Sequence, residues 1–63
     1  MVKVGDRVKV DLGEHNINAK TWNGEYTVVK LQNFWGPNGI TVIHPTEGPG
    51  DIEEHEYTVI ESK

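Results

Sequence analysis

No cysteine occurs in this chain of 63 residues, which removes disulfides and the thiolate zinc sites that staple many small folds. No apolar run approaches the ~20 residues needed to span a bilayer, so no membrane partner is expected. No stretch repeats apolar residues at i, i+3, i+4 and i+7, and helix should be nearly absent. The segment Met1-Val2-Lys3-Val4-Gly5-Asp6 lacks the apolar centre of a secretory signal, and a cytoplasmic protein is expected. Basic residues are scarce beyond the midpoint. Residues 31–63 hold Lys63 alone against Glu47, Asp51, Glu53, Glu54, Glu56 and Glu61, a balance of −5, whereas residues 1–30 balance at +1. The net charge of −4 repels polyphosphate at long range. Duplex binding through bulk charge is disfavoured, while a local basic patch in the first half stays open.

What is present reads as a single all-β domain spanning 1–63. A chain this short buries only about 60% of the surface its unfolded form exposes, so a deep catalytic cavity is not expected. Val8, Val10 and Leu12 alternate with Arg7, Lys9 and Asp11, the period of a half-buried strand. Gly5-Asp6 before it is a turn, and residues 13–16 read as a loop. A weaker alternation from Ile17 to Trp22 leads into Asn23-Gly24, the dipeptide of a type I′ hairpin, which predicts a strand there. Glu25 to Gln32 is rich in β-branched and aromatic residues. Val28-Val29 breaks its alternation, so this strand is either covered on both faces or bent at a bulge. Gly36-Pro37-Asn38-Gly39 is a second turn, and Ile40 to His44 is a β-branched strand. Pro45 to Gly50 is expected to be a surface loop. A short strand over Asp51 to Glu54, one 3₁₀ turn over Glu54-His55-Glu56 and a last strand from Tyr57 to Glu61, with Tyr57 and Val59 on one side, complete the chain. Short strands at this spacing, in so few residues, predict a closed barrel of about five antiparallel strands.

Val4-Gly5-Asp6-Arg7-Val8-Lys9-Val10 resembles the opening strand of SH3-like small barrels of the KOW and Tudor type, in which a Gly-Asp turn precedes an alternating strand. Asp51 to Ile60 is similar to their close: a strand remnant, one 3₁₀ turn and a final strand with two inward residues. The resemblance implies an SH3-like barrel of the kind found in small proteins of bacteria and their phages, hence a binding module, with a phage-encoded modulator of a host protein as its concrete form. The KOW motif has a basic, glycine-centred loop after the first strand. Glu14-His15-Asn16 stands there instead.

The residues able to carry chemistry point the same way. His15, His44 and His55 are too widely spaced for a local metal motif, and the carboxylates around His55 read as a solvated acidic turn. No metal and no cofactor is expected. No Ser, Thr or Tyr is framed as a nucleophile, and no pair of carboxylates is set apart for acid–base work, so no catalytic residue is assigned. Trp22, Phe34, Trp35 and Pro37 lie beside turns, where large apolar groups are harder to bury. Together they are the candidate surface for a protein partner, the alternative being that the aromatics cap the barrel's end. Arg7, Lys9, Lys20 and Lys30, interleaved with Trp22, are the alternative site, for nucleic acid. The same charges also suit an edge strand that resists aggregation. A third option is a subunit that adds a strand to a larger assembly through an open edge. The oligomeric state is not legible.

Overall fold

The computed structural model describes residues 2–31 and 38–63. The protein is all-β: five antiparallel strands lie in the order β4-β3-β2-β1-β5. Their ranges are Arg7–Val10 (β1), Gly24–Leu31 (β2), Ile40–His44 (β3), Gly48–Ile52 (β4) and Tyr57–Glu61 (β5), with a single 3₁₀ turn, Glu54–Glu56, before the last. β4 and β5 are the two edges of an open sheet, and among the described residues they are not paired with each other. The closed barrel expected from the sequence is therefore not what the strand pairing forms.

The long β2 joins the two halves of the sheet. Its first part pairs with β1 from Val10↔Gly24 to Arg7↔Thr27. Its second part pairs with β3, and the register shifts between Val28 and Lys30. Val29 is the extra residue and turns outward, which is the bulge that Val28-Val29 signalled. Inward positions then coincide: Val8, Val10, Tyr26, Val28, Ile40, Val42 and Ile52 form the buried core, with Val2, Leu12, Trp22, Leu31 and Tyr57 packed at its margin.

Four further sequence expectations need correction. Ile17 to Trp22 is not a strand, because Ala19–Trp22 forms a short helix, α1. Asn23 has φ −63° and ψ 135°, so the type I′ turn, with φ positive at both central residues, does not form. Its side chain is spent elsewhere, since Asn23 Oδ1 accepts the Leu12 N–H at 2.8 Å. Pro45 to Gly50 is not all loop, because Gly48, Pro49 and Gly50 pair with His44, Ile43 and Val42. Gly48 at φ +82° supplies the left-handed step that closes the hairpin. Pro49 lacks an N–H and is tolerated because β4 has only one neighbour. Finally, Tyr57 is half-buried as expected, but Val59 stays 37% exposed and Ile60 46%.

Asp6 ties the segment after β5 to the segment before β1. Its carboxylate is inaccessible to water, and accepts the Lys3 N–H at 2.9 Å on Oδ2 and the Lys63 N–H at 2.8 Å on Oδ1. Gly5 at φ +97° makes the turn that brings it there. The Lys63 N–H bond, then the Lys3 N–H and nearby positive charge, hold the Asp6 carboxyl below its ordinary range against the opposing effect of burial.

Candidate functional site

The segment between β1 and β2 is held by its own polar side chains. Asn16 Oδ1 accepts the Asn18 N–H at 2.8 Å, the Asx turn that competes with strand, and Asn16 O accepts the Ala19 N–H at 3.0 Å. α1 follows and delivers Trp22 to the sheet. The indole lies on Gly50 so closely that a Cβ there would clash with the ring. It also meets the His44 ring at 4.9 Å between centroids, and the Trp22 carbonyl accepts the Tyr26 hydroxyl at 2.8 Å. His44 fastens the same region. Its Nδ1 accepts the N–H groups of Thr46 and Glu47, each at 3.1 Å. Nε2 therefore carries the proton and donates to Thr21 O at 2.9 Å. With Nδ1 occupied in this way, the Thr46 hydroxyl at 3.2 Å is part of a turn and not a nucleophile awaiting a base.

A cleft of about 400 Å³ opens between α1, β4 and the 3₁₀ turn. Leu12, Trp22, Gly50 and Ile52 form its apolar side, and Asn16, Asn18, Asp51, Glu53 and Glu56 its polar rim. The carboxylates are placed by bonds of their own. Asp51 Oδ1 accepts the Thr41 hydroxyl at 2.9 Å, and Glu56 Oε1 accepts the Glu53 N–H at 3.1 Å. The reciprocal bond, from the Glu56 N–H to the Glu53 side chain, completes a capping box around the 3₁₀ turn. Among the described residues none of these three carboxylates has an ion-pair partner, the ion pairs being Arg7–Glu25 and His15–Glu14. One donor atom each from Glu53, His55 and Glu56 lies within 4.8 Å of the others. Two of those groups already cap the turn, which accounts for the cluster without a cation.

A second groove, of about 520 Å³, runs over the outer face of the sheet past Arg7, Glu25, Thr27, Val29, Ile43 and Pro45. Its cation is already occupied: Arg7 donates to Thr27 Oγ1 at 3.0 Å and stands 3.7 Å from Glu25.

Of the residues expected at a protein interface, Trp22 is half-buried between core and cleft, and Phe34, Trp35 and Pro37 lie outside the described residues. The basic candidates are dispersed, with Arg7 and Lys9 on β1, Lys20 on α1 and Lys30 on β2 opposite Thr41. Lys9 faces Glu25 across the β1–β2 register. Two contributions escaped the sequence reading. Glu53 is outside the Ser, Thr, Asp and Asn set that marks a capping box in sequence, so the reciprocal Glu53–Glu56 bonds carry no sequence signal, and nothing in the chain announces that Trp22 would find Gly50. Elsewhere burial raises the Tyr26 hydroxyl above its ordinary pKa, and burial followed by the Glu54 charge does the same to Tyr57. No helix among the described residues is long and apolar enough to cross a membrane. Compared with protein-family models, curated proteins and solved structures, the chain finds no match.

Proposed function

We propose that this chain is a non-catalytic, SH3-like protein-interaction module that receives a basic side chain of a partner in the cleft beside Trp22. One observation carries the reading. Asp51, Glu53 and Glu56 are held in place by intrachain bonds, have no cation of their own among the described residues, and line the same cleft as the Trp22 indole. A lysine or arginine entering there gains charge pairing and a cation–π contact, each worth roughly 0.5–1 kcal/mol at a partly exposed site. Carboxylates held in advance lose little side-chain entropy on binding. Such terms suit a weak, reversible complex, and the acidic second half of the chain speeds encounter with a basic surface. A small cytoplasmic modulator of a host protein is the concrete form of the same proposal. The alternative, a nucleic-acid face of Arg7, Lys9, Lys20 and Lys30, has less support because Arg7 is engaged by Glu25 and Thr27.

Amide-shift titration with an arginine- and lysine-rich peptide tests the proposal, with single-stranded DNA as the second arm. Shifts at Asp51, Glu53, Glu56 and the Trp22 indole are expected, fading as salt rises. Asp51→Asn keeps the acceptor for Thr41 and should weaken binding about twofold to fivefold. Peptide binding indifferent to Asp51→Asn, or DNA shifts centred on Arg7 and Lys9, would overturn it.

A further inference from the structure

The two free edges of the sheet differ, and β5 is the one left able to take another strand. Its exposed main chain follows from two bonds. The Val28 N–H donates to Asp6 O at 2.9 Å, and the Asp11 N–H donates to Glu56 O at 2.8 Å. In an antiparallel ladder bonded and non-bonded pairs alternate. Counting from those bonds along the registers, Val8 and Val10 bond to β2, and Lys9 bonds to Thr58 of β5. The pairs Val8↔Val59 and Val10↔Tyr57 are then non-bonded, so the N–H and C=O groups of Tyr57 and Val59 point away from β1. Among the described residues nothing pairs with that side. Of the usual protections of an edge, β5 has a bulge at Ile60 and a charge only at its end, Glu61; it has no proline and no lysine within Tyr57–Glu61, and its aliphatic residues Val59 and Ile60 are exposed.

We infer that the β5 edge binds, by strand addition, an extended segment of a partner protein in which β-branched residues are flanked by lysine or arginine. The flanking charges select the occupant. Glu54 and Glu56 precede β5 and Glu61 ends it. A second copy running antiparallel about Val59 would bring Glu61 of each chain toward the Glu54–Glu56 end of the other, a like-charge juxtaposition. A strand with basic flanks meets the same charges favourably, while its main chain satisfies Tyr57 and Val59. This surface shares Glu56 with the cleft, but Tyr57 and Val59 lie outside the cleft lining, so their protection reports on this reading alone.

The test is amide hydrogen exchange on the whole chain with a synthetic peptide, Lys-Lys-Val-Thr-Val-Thr-Lys-Lys, and the same peptide N-methylated at alternate residues. The plain peptide should slow exchange at Tyr57 and Val59 roughly tenfold, and the N-methylated one should not. Val59→Pro removes an outward N–H without touching a β1–β5 bond and should abolish the protection. If that variant unfolds, the N-methylated peptide still decides. Unchanged exchange at Tyr57 and Val59, equal effects of both peptides, or protection that appears without peptide as concentration and mass rise together would each overturn the inference. The last would make the occupant a second copy. Shifts confined to Asp51, Glu56 and Trp22 would leave the cleft reading standing and remove this one.

Discussion

β4 and β5 occupy opposite edges of one sheet and come to be strands for opposite reasons. β4 reads Gly-Pro-Gly-Asp-Ile, in which every residue but Ile52 is of a type depleted in strands. It is a strand because its surroundings impose one. The hairpin from β3 fixes its register, and Trp22 fills the space over Gly50 where a side chain would have been. β5 reads Tyr-Thr-Val-Ile-Glu, nearly ideal in propensity, yet none of its residues is fully buried. It is held by β1 and by the Asp6 carboxylate at the Lys63 N–H. A strand of poor propensity can thus be made by packing, and a strand of good propensity can be left with one side free.

The largest effect should come from removing what makes β4. Trp22→Ala empties the space over Gly50 and the contact with His44. For a half-buried indole, a loss of about 2–4 kcal/mol is expected in urea unfolding, somewhat below the range for fully buried tryptophan. Hydrogen exchange should show where the loss falls, with β4 amides losing protection before those of β1 and β5. A cost below about 1 kcal/mol, or uniform loss across the sheet, would mean that β4 does not depend on the indole.

That asymmetry also explains which elements were legible in the sequence. β1, β3 and β5 are apolar or alternating runs whose local preference agrees with their final state, and the 3₁₀ turn is bounded by its own carboxylates. The bulge at Val29 showed itself as a break in period. α1 did not, because Asn16 and Asn23 use their side chains on main-chain N–H groups, and period counting does not see such bonds. β4 was hidden because Gly48-Pro49-Gly50 locally reads as a turn. Trp22 was singled out by its place beside Asn23-Gly24, whose type I′ turn does not form, and the fold sets its indole against the cleft. The cleft itself was not legible, because it needs residues 12, 22, 51 and 56 brought together by the fold.

The second prediction concerns how the end of β5 is anchored. Asp6 has its pKa lowered in the folded protein, so the unfolded chain binds more protons between the two values and folding is favoured as pH rises. The contribution is complete above the ordinary aspartate range and is lost as pH falls through the folded value, below about pH 4. Melting temperature followed from pH 6 to pH 2.5 should therefore fall more steeply for the native chain than for Asp6→Asn, and the two curves should converge at the acid end. Asn keeps one acceptor but cannot offer both oxygens to Lys3 and Lys63. Parallel curves across the range would show that the clasp does not titrate and that β5 is held by β1 alone.

The smallest effect belongs to the strand pair between the two edges, where neither packing nor a buried charge is at stake. Arg7 and Glu25 approach at 3.7 Å with 40% and 58% of their side chains exposed. Pairs of this kind contribute little, because water screens the attraction and two long side chains must be ordered to make it. Arg7 in addition keeps its bond to Thr27 when Glu25 is neutralised. Glu25→Gln should consequently change stability by less than about 0.5 kcal/mol in urea unfolding and leave the exchange pattern of β4 and β5 as it was. A larger loss would place a structural charge pair on the outer face of the sheet. The contrast between the edges would then no longer be the main source of uneven stability in this fold.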